Sequence, residues 1–198
     1  MSKVMAAITT SVDGYITGPD DGPGRGLGIG GERLHYWVFG GPWSYESPGR
    51  GEATGEDKAW LDEMGGANGA VVAGRGTYEA AGHWGDTNPG GLPFFIVTHR
   101  PEEQPNSGEF IFVGSLAEAI ERAKAAADDK QVNVMGGADV IRQALAGGHV
   151  DELTLIIAPV VLGAGKRLFD GFTQSVDLEH CGVRQSPLAT FISYRVKK

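Results

Sequence analysis

Two stretches of the sequence change from a β-strand pattern to a helix pattern at a glycine, and they constrain the fold more than any other feature. Residues 132–135 form a valine-rich run that ends at Gly136 and Gly137, and residues 70–73 form a similar run that ends at Gly74. Glycine lets backbone N–H groups approach a ligand closely, and the following helix points its positive end at the same place. Each join predicts either an anion-binding site at a sheet edge or a glycine that only makes the turn.

The side chains next to these glycines suit phosphate groups. An arginine and a threonine follow the glycine at position 74, and a third strand pattern at residues 94–98 ends in a threonine, a histidine and an arginine. Guanidinium and hydroxyl groups bind phosphate oxygens well, so these strand ends predict a dinucleotide across the sheet edge, with the third set around a ribose 2′-phosphate. The alternative for each arginine is a solvated surface charge. The predicted cofactor-binding residues are Gly74, Arg75, Thr77, Thr98, His99, Arg100, Gly136, Gly137, Ala138 and Asp139.

The order of short motifs along the chain resembles the dihydrofolate reductase superfamily. These motifs are Ser11-Val12-Asp13-Gly14, Gly74-Arg75 followed by Thr77-Tyr78-Glu79, Thr98-His99-Arg100-Pro101, Gly136-Gly137, and APVVLGAG at residues 158–165. Within the superfamily, the first and last motifs resemble the C-terminal reductase domain of the bifunctional riboflavin-biosynthesis deaminase/reductase. The resemblance extends over about residues 3–196 and implies a reductase with NADPH as its cofactor.

The resemblance also implies catalytic and substrate-binding residues. Asp13 resembles the ligand-contacting aspartate of riboflavin-pathway reductases, and Asp57 resembles the helical acid of dihydrofolate reductases, which Thr154 would support. A proton must reach the substrate atom that gains charge, so both aspartates are candidate catalytic residues. The alternatives are a turn-forming role for Asp13 and a helix N-terminal charge for Asp57. The predicted substrate-binding residues are Ser11, Thr154, Leu162 and Gly163.

Helix patterns alternate with strand patterns through most of the chain. This alternation predicts an α/β fold with a mostly parallel central sheet, covered on both faces, and antiparallel strands at the C-terminal edge. The resemblance implies the same three-layer, dihydrofolate reductase-like fold, as a single domain over residues 1–198. Predicted strands lie at residues 3–9, 15–17, 70–73, 94–98, 109–113, 131–135, 152–158, 178–184 and 190–196. Predicted helices lie at residues 32–39, 56–64, 75–81, 116–127 and 139–146, with Ser115 as the N-cap of the fourth.

The glycine-rich segment at residues 18–31 predicts a loop, which we interpret as a mobile flap over the active site. It contains a formal G-x-G-x-x-G pattern, but prolines and aspartates precede that pattern where a dinucleotide-binding fold would have a strand. Trp37 and Trp60 are predicted to pack in the core. Trp43 could pack there or stack on a ligand ring.

Composition disfavours several classes of function. The chain of 198 residues has 25 acidic and 17 basic side chains and a net charge of −8, which argues against nucleic acid and acidic membrane surfaces as partners. The five histidines show no metal-ligand spacing, so we expect no metal site. Cys181 is the only cysteine, so no internal disulfide can form, and no segment is apolar enough for a membrane span. We therefore expect a cytoplasmic protein and leave a homodimer open.

These observations favour an NADPH-dependent reductase that acts on a small heterocyclic or ribityl-bearing substrate, similar to the 5-amino-6-(5-phosphoribosylamino)uracil reductases. Two alternatives stay open. One is a dihydrofolate or pterin reductase, and the other is a protein that binds NADPH or a flavin without catalysis. A third alternative is an oligomeric scaffold protein with an empty pocket. The glycines between strand and helix, which suit a bound cofactor, disfavour it.

Overall fold

Eight strands form the central sheet of the structure. The computed structural model describes residues 2–47, 49–88 and 90–198 of the chain. Its strands are β1 (Val4–Ser11), β2 (Tyr15–Thr17), β3 (Asn68–Gly74), β4 (Phe94–Val97), β5 (Ile111–Val113), β6 (Gln131–Gly136), β7 (Glu152–Ala158), β8 (Lys166–Arg167), β9 (Leu178–Gln185) and β10 (Thr190–Val196). Its helices are α1 (Gly55–Ala67), α2 (Arg75–Ala80), α3 (Leu116–Ala126) and α4 (Ala138–Ala146), with short 3₁₀ segments at Gly31–His35 and Gly82–Asp86.

The central sheet is mostly parallel. Its strand order is β5-β4-β3-β6-β1-β7-β10-β9, and a separate small sheet pairs β2 with β8. All neighbours from β5 to β7 are parallel, whereas β10 pairs antiparallel with both β7 and β9. The predicted fold class, a mostly parallel α/β sheet with antiparallel C-terminal edge strands, is confirmed.

Helices cover both faces of the sheet because successive strand residues point to opposite sides. On one face, Val132 and Val134 join the largest apolar cluster together with side chains of α3 and α4. The opposite face carries two smaller clusters, one that contains Tyr78 of α2 and one that contains Trp37 packed with Trp60 of α1. In the described part of the chain, no helix has the length and apolar character needed to cross a membrane.

Two predicted elements are partly wrong. The helix predicted at residues 32–39 is a 3₁₀ segment over Gly31–His35. The chain then turns, and the Gly41 amide donates to the Tyr36 carbonyl at 2.8 Å, five residues back. The strand predicted at residues 109–113 begins at Ile111, which is the first residue with a partner on β4. The other elements are confirmed with small shifts at their ends, and Ser115 caps α3 by accepting the Glu118 amide.

The glycine-rich segment at residues 18–31, which we call the glycine strap, is confirmed as a loop. It folds back on itself, since the Gly18 amide donates to the Leu27 carbonyl at 2.8 Å. Gly26 lies directly against the Ala80 carbonyl at the end of α2, where an added Cβ would be 2.6 Å from that oxygen. The strap therefore extends from β2 to α2 across the face of the sheet that lacks α3 and α4, and its mobility stays a prediction.

Candidate nucleotide and substrate site

A cavity of about 1480 Å³ lies at the carboxyl end of the parallel strands, beneath the glycine strap. Residues that follow β3, β4, β5 and β6 line one end, and aromatic residues from the segment before α1 line the other. All ten residues predicted to bind the cofactor are in its wall, namely Gly74, Arg75, Thr77, Thr98, His99, Arg100, Gly136, Gly137, Ala138 and Asp139. The structure thus brings these residues together, while cofactor binding itself stays a prediction.

The two glycine joins touch each other in this wall. A Cβ added to Gly137 would lie 3.2 Å from Thr77 Oγ1, and one added to Gly74 would lie 2.9 Å from Val140 Cγ2. Both positions thus bring backbone close to a neighbouring helix, which only glycine permits without a shift. Gly137 also precedes α4, whose positive end faces the cavity at Ala138.

Four charged side chains form an ion-pair network at the end of the cavity lined by the residues that follow β3 to β6, which we call the nucleotide end after its predicted ligand. Arg75 Nε contacts Glu79 Oε1 at 2.8 Å, and Arg75 Nη2 contacts Glu103 Oε2 at 3.1 Å. Arg100 Nη1 contacts Glu103 Oε1 at 3.0 Å. Burial works to lower the pKa of Arg75, but the two glutamates outweigh it and raise that pKa. The sequence pattern identified both arginines and missed the carboxylates that pair with them.

Asp13 lies outside the cavity wall and serves the chain itself. Its Oδ1 accepts the Ser11 hydroxyl at 2.6 Å and the Leu162 amide at 3.1 Å, and its Oδ2 accepts the Gly163 amide at 2.8 Å. Hydrogen bonding from Ser11, followed by that from the two amides, lowers the pKa of Asp13 to about 2. Ser11, Leu162 and Gly163 are absent from the cavity wall as well. These four residues join β1 to the loop after β7.

Asp57 and Thr154 are also outside the cavity wall. Asp57 is only 4% exposed, and burial raises its pKa, with the Ser186 hydroxyl acting in the opposite direction. The Thr154 hydroxyl lies 3.1 Å from Ser193 Oγ on β10. No hydrogen bond joins Thr154 to Asp57 among the described residues, so the support of Asp57 by Thr154 stays a prediction.

Aromatic and cationic side chains line the other end of the cavity. Trp43 packs edge-to-face against Phe39 and Tyr45, with ring centroids 5.2 and 5.1 Å away, and the Arg50 guanidinium lies 4.8 Å from the Trp43 ring. Burial, reinforced by Arg50, lowers the pKa of His35 to about 4, so this imidazole is neutral at pH 7. The sequence pattern missed His35 and Arg50, since neither belongs to a recognisable motif.

Thr9 and Asn133 are two further polar residues that line the cavity. Thr9 Oγ1 accepts the Trp37 Nε1–H at 3.1 Å, and Trp37 packs 5.5 Å from Trp60, so both tryptophans are in the predicted core and also reach the cavity. Asn133 Oδ1 is buried and has no hydrogen-bond partner among the described residues. A buried carbonyl without a partner is unfavourable by about 1–3 kcal/mol, so Asn133 is a group that a bound ligand would satisfy. Among the described residues, no His, Cys, Asp or Glu cluster could hold a metal ion.

The chain belongs to the RibD C-terminal domain family, whose model matches residues 2–188. This confirms the resemblance to the reductase domain of the riboflavin-biosynthesis enzyme. No curated protein matches the chain.

Solved structures share the fold at low sequence identity. A protein from Shewanella sp. PV-4 assigned to riboflavin biosynthesis superposes with a TM-score of 0.71 and 21% identity over 100% of both chains. The deaminase/reductase from Thermotoga maritima gives 0.64 and 16% over 99% of this chain and 57% of its own. Dihydrofolate reductase from Enterococcus faecalis, solved with NADP(H), gives 0.61 and 16% over 99% of this chain and 97% of its own. The dihydrofolate reductase-like fold is therefore confirmed.

Gly137→Val should abolish NADPH binding without unfolding the protein. The new Cβ would lie 3.2 Å from Thr77 Oγ1, and the branched methyls would fill the space through which a pyrophosphate approaches. Titration calorimetry would measure binding, and a thermal scan would verify folding. Gly182→Val is the matched control, because a Cβ on that β9 residue meets nothing within 4 Å. Normal NADPH binding by Gly137→Val would remove the anion site.

Asp57→Asn should raise the thermal midpoint at pH 7, and the gain should vanish as the pH falls to 3.8. Burial raises the folded-state pKa above the ordinary 3.8, so the folded protein tolerates the charged form less well than the unfolded chain does. Below the ordinary value both states are protonated and the penalty is absent. Asp62→Asn is the control, because Asp62 is exposed on the same helix. A lower midpoint for Asp57→Asn at pH 7 would contradict the burial argument.

Proposed function

We propose that the chain is an NADPH-dependent reductase that transfers a hydride to a small heterocyclic substrate, of the type that reduces 5-amino-6-(5-phosphoribosylamino)uracil. Membership of the RibD C-terminal domain family supports an oxidoreductase of this type. The observation that carries the proposal is that all ten residues predicted to bind the cofactor line one cavity whose other end is aromatic. A nicotinamide nucleotide would place its phosphates at the first end, and a flat substrate ring would lie at the aromatic end.

The residues of the cavity fit NADPH at its phosphate end. Gly74 and Gly137 line the cavity without a side chain, and the start of α4 places a positive helix end beside them, where a pyrophosphate would bind. Arg75 and Arg100 would hold the 2′-phosphate, since guanidinium groups bind phosphate through paired hydrogen bonds. When bound, NADPH supplies the hydride, and the protein contributes position and exclusion of water. The relative from Enterococcus faecalis, which was solved with NADP(H), supports this choice of cofactor.

We propose Tyr45, whose side chain lines the cavity, as a proton donor. Its hydroxyl oxygen accepts the Leu27 amide at 2.7 Å, which leaves its own proton for an acceptor in the cavity. Burial raises the pKa of Tyr45, so the hydroxyl stays protonated at neutral pH. Asp13 is a poor proton donor by comparison, because its pKa is about 2 and its oxygens are already bonded. Asp13 and Asp57 stay the alternative proton donors that the sequence predicts.

A dihydrofolate or pterin reductase is the second candidate. One observation favours it, namely that burial raises the pKa of Asp57, as a proton-donating carboxylate requires. Its position outside the cavity wall counts against this role. Binding of NADPH or a flavin without turnover is the third candidate, and steady-state assays with a pterin and with 5-amino-6-(5-phosphoribosylamino)uracil separate it from the other two.

Arg75→Ala should weaken NADPH binding by about tenfold or more and leave NADH binding nearly unchanged. A charge-assisted hydrogen bond contributes about 1.5–3 kcal/mol, and only NADPH carries the 2′-phosphate that would receive it. Calorimetric titration with both nucleotides measures the two losses. Arg122→Ala, on the exposed face of α3, serves as the control. Equal losses for NADPH and NADH would contradict the 2′-phosphate role of Arg75.

Tyr45→Phe should lower turnover by about a hundredfold or more, as expected when proton delivery is lost, without weakening NADPH binding. Asp13→Asn and Asp57→Asn should cause smaller losses of turnover, since neither side chain lines the cavity. Turnover of NADPH would be followed with 5-amino-6-(5-phosphoribosylamino)uracil and with dihydrofolate. Greater damage from Asp57→Asn than from Tyr45→Phe would favour the pterin reductase.

A further inference from the structure

The network at the nucleotide end places two carboxylates where a 2′-phosphate would be held. Glu103 bridges both arginines, with one oxygen 3.1 Å from Arg75 Nη2 and the other 3.0 Å from Arg100 Nη1. Glu79 contacts Arg75 Nε at 2.8 Å and lies 3.9 Å from Arg100 Nη2. Two positive and two negative side chains leave this corner with no net charge. A pair of arginines suited to a phosphate is thus already neutralised.

The four side chains differ in how firmly they are held. The Arg75 guanidinium lies 4.7 Å from the centre of the Phe112 ring, and its side chain is only 22% exposed. Glu79 is one helical turn after Arg75 on α2, so their contact is local. Glu103 follows β4 in an irregular segment, and its side chain is 41% exposed. The Glu79 side chain is equally exposed at 40%, so the irregular segment makes Glu103 the carboxylate that can leave with less rearrangement.

We propose that Glu103 determines nucleotide specificity by occupying the position of the 2′-phosphate between Arg75 and Arg100. A phosphate group carries a charge of about −1.5 to −2 at neutral pH and offers three acceptor oxygens, so it competes for the same guanidinium donors. NADPH must displace Glu103 to reach the arginines, whereas NADH has no group there and leaves the network intact. The carboxylate thus lowers the preference for 2′-phosphorylated nucleotides. This inference rests on the proposed function, because it assumes that the nucleotide lies in the cavity.

Glu103→Gln tests the inference directly. The amide keeps the size of the side chain and removes the competing charge. We expect NADPH and 2′,5′-ADP to bind about fivefold more tightly, on the scale of the partly exposed ion pairs that Glu103 would otherwise hold. We expect NADH and 5′-AMP to bind as they do to the unaltered protein. Isothermal titration with the four nucleotides measures these affinities, and a thermal scan verifies that the variant is folded.

Glu102→Gln is the matched control. It removes the same charge one residue earlier, from an exposed side chain that forms no ion pair with the described residues. A general effect of net charge would change NADPH binding equally in both variants and would overturn the inference. Unchanged or weaker NADPH binding by Glu103→Gln would also overturn it, while the proposed function would stand if both nucleotides bound the unaltered protein. Failure of the unaltered protein to bind either nucleotide would overturn both.

Discussion

The parallel pairing of β3 with β6 is the contact on which the cavity depends. The two strands are more than 50 residues apart in the chain, and their register places Ala73 opposite Gly136. Each strand ends in glycine and leads into a helix, so the pairing puts two close-approach turns side by side and lets Thr77 reach Gly137. One such turn alone would bind a single anion weakly. The pair forms the edge at which we propose that a pyrophosphate binds.

The protein places two arginines, each paired with glutamates, at one corner of a strongly acidic molecule. The net charge of −8 repels an anionic ligand at long range, so attraction must come from groups that act at short range. Helix ends and fixed guanidinium groups satisfy this requirement. The aromatic ring of Phe112 beneath Arg75 shows how the chain keeps a cation partly buried and still oriented.

Most of the correct predictions rest on patterns of neighbouring residues. Most of the missed features depend on contacts between residues that are far apart in the chain. Strand-to-helix changes at Gly74 and Gly136 are readable because periodicity and glycine are local signals, and the fold class follows from their alternation. The bonds of Asp13 to Leu162 and Gly163 cross about 150 residues. Nothing around Asp13 in the sequence distinguishes a carboxylate that faces a ligand from one that holds a distant loop. Asn133 was missed for a similar reason, since only its surroundings in the folded sheet reveal a buried oxygen without a partner.

The contact of Gly26 with the Ala80 carbonyl has a kinetic consequence. Both chain ends of the glycine strap lie close together, with Gly31 beside Gly18, while Gly26 within the strap rests on α2 and lines the cavity. A ligand that enters between the strap and α2 requires this contact to open. Association would then be limited by the frequency of that opening and would become independent of ligand concentration at high concentration, as in gated binding. Dissociation would be slowed by the same step, so a modest affinity could coexist with a long residence time.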